Sequence, residues 1–386
     1  MKVWVDRMLR GGEVVRGVLF DADAAGTVVA ETSGVPRPDD AVALEVAAPG
    51  FANAHSHAFH RALRGRTHES GSFWTWRELM YRAAGRFTPD LYRGFATAVF
   101  SEMVAAGWTS VGEFHYVHHR PDGTPYPDHA MEIALADAAD AAGIRLVLLD
   151  TLYLSGGIGR PLATEQLRFG DGSVDRWLER WHALRAELDG RSPLVTLGAA
   201  LHSVRAVPCD VLSAAVGGLP TSVPLHIHLS EQPAENDACV AAHGLTPTAL
   251  LAAEGVLSPR LSVVHATHLT EADIRMLADA GATAVFCPTT EADLGDGIGP
   301  ALELHDAGVR IAVGSDQNAV VDPLLELRAL ESGERLRSLR RGRFSPAQLW
   351  RIGSDDGYAA LGLRAPARLG GPLDLVEIDA RSVRTA

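Results

Sequence analysis

From residue 46 onward, short apolar runs alternate with helical stretches, and the alternation recurs eight times. The runs fall at 46–54, 110–114, 145–149, 194–200, 224–229, 261–265, 283–287 and 310–314. Helical periods lie at 91–106, 130–142, 174–188, 234–243, 271–280 and 300–307, and a longer amphipathic stretch, 323–339, follows the last run. A strand buried on both faces reads as a continuous apolar run, and parallel strands need a crossover helix between them. Eight such units predict an α/β fold, a (β/α)8 TIM-type barrel over residues 46–364. Residues 1–45 carry shorter β-like pieces at 3–5, 14–20 and 27–30, with turn signals at Gly11-Gly12 and Gly26. With 365–386 they predict a small accessory β-sheet outside the barrel. No internal repeat or low-complexity linker divides the chain.

In such barrels the chemistry sits at the C-terminal ends of the strands. Those ends carry His55 and His57 on the first, Glu113 and His115 on the second, His202 after the fourth, His228 on the fifth, His265 on the sixth and Asp316 after the eighth. Residues i and i+2 of a strand point the same way, so His55 and His57 can face one metal ion. A lone His-x-His pair is weak evidence; the number of partners at other strand ends raises its weight. Imidazole and carboxylate suit a catalytic zinc site that keeps a position open for water. His228 and Asp316 are the further ligand candidates. His226 shares the face of His228, so two readings of the fifth strand stand, with His228 nearer the strand's C-terminal end. Glu231, three residues past His228, is placed to protonate a leaving group, Asp316 to accept a proton from water, and His265 to aim the attacking oxygen.

Composition narrows the field further. The formal charge of −13 opposes a nucleic-acid partner, whose phosphates call for a basic surface. Three cysteines, Cys209, Cys239 and Cys287, lie far apart and form no disulfide or Cys-x-x-Cys pattern. No apolar span is long enough to cross a bilayer and the start has no apolar targeting segment, which predicts a cytoplasmic enzyme with no membrane partner. Lys2 is the only lysine among 35 basic residues, so no mechanism can draw on a lysine in the barrel.

The segments HSHAF, HIHLSEQ, VHATH (264–268), TEADLGDGI (290–298) and GSD (314–316) resemble the amidohydrolase superfamily. FWTWRELMYR (73–82) and EFHYVHH (113–119) draw the resemblance toward its formimidoylglutamate deiminases, over about residues 49–342. The resemblance implies one Zn2+ per chain, or another divalent metal, on His55, His57, His228 and Asp316, with Glu231, His265 and Asp316 catalytic. Binuclear relatives bridge two metals with a modified lysine, which this chain lacks. It further implies a dicarboxylate substrate, N-formimino-L-glutamate, gripped by Arg77 and Arg205, with Tyr116 and His202 as additional contacts. Trp74 and Trp76 read as packing residues. Two departures stand out: the family pattern has glutamine where this chain has His60, and Ser-His where it has Gln317-Asn318. His60 is read as a substrate contact in which imidazole replaces an amide. Relatives continue past the end of this chain, so the accessory sheet is expected to be incomplete. A homodimer follows from the resemblance alone.

Two other functions fit parts of the pattern. An aminohydrolase of a purine or other cyclic amidine would share the metal site but give Arg77 and Arg205 no carboxylates to grip. A catalytically silent ligand-binding barrel would have no use for Glu231, His265 and Asp316 together.

Overall fold

The computed structural model describes residues 1–66 and 73–383. Two sheets organise it. The smaller has β1 (Lys2–Arg10), β2 (Glu13–Ala22), β3 (Val28–Thr32) and β4 (Val42–Pro49). The larger comprises β5 (Phe51–Ser56), β6 (Trp108–His115), β7 (Arg145–Leu152), β8 (Val195–Leu201), β9 (Leu225–Leu229), β10 (Leu261–His265), β11 (Thr283–Phe286) and β12 (Arg310–Val313). A last short strand, β13 (Leu375–Glu377), returns to the small sheet, whose order is β13-β4-β1-β2-β3.

The eight strands of the larger sheet pair in chain order, each parallel to the next. The last meets the first through a parallel bridge between Ser56 and Asp316. Gly314 permits that closure, because a Cβ there would lie 2.6 Å from the His55 carbonyl oxygen and 2.7 Å from its nitrogen. His55 and Asp316, at opposite ends of the sheet's order, are thereby brought side by side. Backbone bonds fix the seam, with Asp316 N donating to His55 O at 3.0 Å and His57 N to Asp316 O at 2.9 Å.

Helices cover the barrel, and their ends carry the expected local signals. Helix Pro89–Ala106 starts on the Thr88 side chain with proline at its first position and stops at Gly107, φ 103°. Helix Pro323–Ser338 starts on Asp322, whose side chain accepts from Leu324 N and Leu325 N. Its apolar inner face, with that of the other helices, joins the strands in one core in which Trp108, Trp177 and Trp181 are fully buried. Among the described residues, no helix is long and apolar enough to cross a membrane.

The apolar run 46–54 is not one barrel strand. Its first part belongs to β4, which pairs parallel with β1 in the small sheet, and the barrel begins only at Phe51. The chain changes sheets at Gly50, where a Cβ would collide with the Thr109 side chain. Both pieces are buried, so hydropathy runs through the change of sheet without a break. Helix Phe73–Ala84, also absent from the sequence reading, brings Trp76, Arg77 and Met80 to the C-terminal face of the barrel. The side chain of Trp74 lies outside the described residues, as do residues 384–386.

Candidate active site

The side chains at the first, fifth, sixth and eighth strand ends converge. His228 Nε2 lies 3.2 Å from His55 Nε2 and 3.3 Å from His57 Nε2, and Asp316 Oδ1 is 3.5 Å from each of the latter two. Four donors about 2 Å from a common centre at tetrahedral angles would sit about 3.3 Å apart, so this spacing fits one transition-metal ion. Two of the imidazoles are also fixed in orientation. His57 Nδ1 is 2.8 Å from Phe114 O and His228 Nδ1 is 2.9 Å from His202 O. A proton on each Nδ1 serves those carbonyls and leaves each Nε2 lone pair facing inward. Burial pushes His55 and His228 well below the ordinary imidazole range and His57 down to about 3, so all three are neutral.

His226 is separated from this group. Its Nε2 is 2.9 Å from Ala360 O, one layer deeper in the barrel, whereas His228 Nε2 lies beside His55 and His57. The second strand contributes differently from the others. Glu113 accepts from Ser56 Oγ at 2.7 Å and Ala58 N at 2.6 Å, tying down the turn after β5, and burial raises its carboxyl to about 8. His115 faces away, toward Glu132 at 3.2 Å. His115, His118 and Glu132 have metal-like proximity, but the Arg180 guanidinium already contacts Glu132 and Asp150, so this is a buried ion-pair network.

The proton-handling candidates adjoin the histidine group. His265 Nε2 is 3.7 Å from Glu231 Oε1 and 4.0 Å from Asp316 Oδ2. Burial opposes protonation of His265, yet the carboxylates of Glu231, Glu291 and Asp316 overcome it and raise its pKa to about 10. Several of these residues sit in the left-handed region that non-glycine residues avoid: Ser230, His265, Ala266, Asp316 and Asn318, with φ between 44° and 71°. Such conformations cost about 1–3 kcal/mol each and persist where surrounding bonds hold them.

Asn318 supplies several of those bonds. Its Nδ2 lies 3.0 Å from His57 O, 3.1 Å from Asp316 O and 3.1 Å from Ser56 Oγ, and its Oδ1 accepts from Ser315 Oγ at 2.6 Å. Asn318→Leu is expected to lower unfolding free energy by about 2 kcal/mol, because buried acceptors at the seam lose their donor. Urea unfolding of the two proteins measures this; equal stability would refute the latch. Gln317 turns to Asp293 at 3.1 Å, and neither it nor Asn318 lines the pocket. Of the departures from the family pattern, only His60 reaches the cavity.

His60, Trp76, Arg77, Met80, Tyr116, His202, Arg205, Glu231, His265 and Asp316 are among the residues that line that cavity. His60 Nε2 is 3.0 Å from the Tyr116 hydroxyl, while its Nδ1 is buried with no partner. His202 stacks edge-on against Tyr153 at 4.4 Å, and burial together with Arg205 and Arg77 keeps it uncharged. Arg77 Nη2 is 3.4 Å from the Tyr153 hydroxyl, and Arg205 Nη2 is 3.2 Å from Glu231 Oε2. Trp76, expected only to pack, stands edge-on to His60 at 5.1 Å and forms part of the cavity wall.

Three buried acids escaped the sequence reading. Glu235, four residues past Glu231 and in the first turn of helix Pro233–His243, lies 3.7 Å from Arg205 Nε and accepts from Glu231 N at 3.3 Å. Glu291 is 3.3 Å from His265 Nδ1, and Asp296 lies near both Glu231 and His265. Glu291 and Asp296 belong to TEADLGDGI, a segment that marked the resemblance while its acids carried no assigned role.

Comparison with known proteins shows the family. The model of the amidohydrolase family matches residues 46–367. A formimidoylglutamate deiminase of Pseudomonas aeruginosa is 39% identical over 98% of this chain and 84% of its own length. A 5-methylthioadenosine/S-adenosylhomocysteine deaminase of Syntrophobacter fumaroxidans is 29% identical over 70% of this chain and 56% of its own. Among solved structures, an amidohydrolase from Brucella melitensis superposes with a TM-score of 0.92 at 33% identity, covering 98% of this chain and 87% of that one. An adenosine deaminase from Xanthomonas campestris with bound zinc shares the fold, with a TM-score of 0.83 at 24% identity over 100% of this chain and 85% of that one.

Proposed function

The chain belongs to the amidohydrolase family, and from that premise we propose that it hydrolyses N-formimino-L-glutamate to N-formyl-L-glutamate and ammonia, a step of histidine degradation. The observation that carries this reading is one cavity lined both by two guanidinium groups, Arg77 and Arg205, and by two acids, Glu231 and Asp316. The substrate has matching charges: a cationic amidine on the α-carbon, one carboxylate on that same carbon, and a second carboxylate at the far end of the side chain. A neutral purine has no such pair of anions.

His55, His57, His228 and Asp316 would hold one divalent ion, and their neutral, inward-facing nitrogens favour zinc. When bound, the ion supplies Lewis acidity that lets water ionise near neutral pH. His265, held at its Nδ1 by Glu291, orients the attacking oxygen through Nε2. Asp316 accepts the proton released by that oxygen. Glu231 passes a proton to the amidine nitrogen, which departs as ammonia while the carbon keeps the new oxygen as a formyl group. Arg205 contacts Glu231 at 3.2 Å and would also face the substrate, so substrate binding and proton delivery are coupled through one guanidinium. His60 and Tyr116, bonded to each other, present a further polar edge to the substrate, and His202 another.

The reading carries a cytoplasmic homodimer as well, which cell fractionation and light scattering test. Its sharper test is in the arginines. Arg77→Ala is expected to raise KM for N-formimino-L-glutamate by about a hundredfold, the loss of a charge-assisted carboxylate contact of roughly 3 kcal/mol. Arg205→Ala should lower kcat too, because it also removes the partner of Glu231. Unchanged kinetics in both variants would sink the dicarboxylate substrate.

A further inference from the structure

A second set of metal-type donors lies beside the first. Glu231, His265 and Asp296 each bring one ligand atom within 4.8 Å of the others, and all three are buried. Asp316 stands between the two sets. Its Oδ1 is 3.5 Å from His55 and His57, while its Oδ2 is 4.0 Å from His265 Nε2. His265 has the form of a ligating histidine, with Nδ1 fixed by the Glu291 carboxylate at 3.3 Å and Nε2 turned toward the acids.

Asp296 is the member for which the hydrolytic steps have no use. It is 2% exposed, its Oδ1 accepts from Gln232 Nε2, and its Oδ2 is buried with no partner. Gly295 at φ 72° and Gly297 at φ 110° make the turn that carries it. A buried carboxylate oxygen left unpaired is costly unless something with positive charge meets it. Around His265 stand Glu231, Glu291, Asp296 and Asp316, against which the nearby fixed cation is the Arg205 guanidinium on Glu231. Burial and Glu231 push the Asp296 carboxyl up to about 9, as a surplus of negative charge would.

We infer that Glu231, His265 and Asp296, with Asp316 Oδ2 alongside, form a second divalent-cation site whose occupation stops turnover. Mixed imidazole and carboxylate donors suit zinc and its transition-metal neighbours. The site is the weaker of the two, because Arg205 already neutralises Glu231 through Oε2, leaving Oε1 on the His265 side for the cation. The inhibitory effect rests on the proton-transfer roles proposed above for Glu231 and His265, whose lone pairs the cation would withhold; cation binding itself does not depend on that reading.

The test starts from enzyme holding one zinc per chain, dialysed against zinc buffers of rising free concentration. Bound zinc is counted by plasma mass spectrometry, and ammonia release from N-formimino-L-glutamate is followed on the same samples. A second equivalent is expected to bind, with turnover falling at least about tenfold as it fills, since both proton-transfer groups are then blocked. Asp296→Asn should stay at one equivalent and keep its turnover at zinc concentrations that silence the parent. Glu231→Gln, read for stoichiometry alone, should also stay at one. A parent that binds only one zinc, or an Asp296→Asn protein that binds the second as readily as the parent, overturns the site. A second zinc with undiminished turnover overturns its inhibitory role. If the parent shows no ammonia release at any zinc level, the substrate reading fails and zinc stoichiometry still decides whether the second site exists.

Discussion

Glu231→Gln is expected to lower kcat by about three orders of magnitude while the protein keeps one zinc per chain. The amide preserves the size of the side chain and its contact with Arg205, but it cannot deliver a proton to the leaving nitrogen. Zinc retention follows from geometry, because Glu231 stands outside the group formed by His55, His57, His228 and Asp316. Two measurements on one preparation separate the possibilities. Lost turnover with zinc retained assigns proton transfer to Glu231; lost zinc would make it a structural support of the metal group; full turnover would remove it from the reaction.

Metal removal should have an effect of comparable size and a second signature. Chelated enzyme is expected to fall to background turnover and recover when zinc is returned. It should also unfold at a lower temperature, because an ion present at about a thousandfold over its dissociation constant stabilises the folded state by about 4 kcal/mol. His228→Ala serves as the control. It removes one of three convergent imidazoles, so added zinc should restore neither its activity nor its melting temperature. Full turnover in enzyme shown to be metal-free would contradict the metal-dependent reading.

Much of this architecture is legible in the chain because its determinants are local. Barrel strands buried on both faces announce themselves as apolar runs, and a parallel barrel puts every strand's C-terminal end on one face. The sequence alone therefore groups His55, His57, His228, His265 and Asp316 at one face. The limits have physical causes too. The run 46–54 crosses from one sheet to another at Gly50, a change of partner that side-chain polarity does not register. His115 sits at a strand end like the others, yet the strand's alternation turns it outward to Glu132. His226 and His228 share a face and differ only in depth. Glu235, Glu291 and Asp296 lie on helices and loops after the strands, where a carboxylate reads as a solvated surface group until the packing that buries it is known.

The departures from the family pattern divide in the same way. Gln317 and Asn318 are adjacent to a proposed ligand in sequence, but they bond to Asp293 and to the backbone of the β5–β12 seam. His60 reaches the cavity with a buried Nδ1 that has no partner, beside Tyr116 and Trp76. Substrate preference is thus expected to respond to substitution of His60 and to be little affected at Gln317.

The most direct test of the account is ammonia release by zinc-loaded protein offered N-formimino-L-glutamate and, in parallel, a purine nucleoside bearing an exocyclic amine. The account predicts release from the first alone, with N-formyl-L-glutamate as the other product. Release from the purine alone, or from neither substrate with zinc bound, would contradict it.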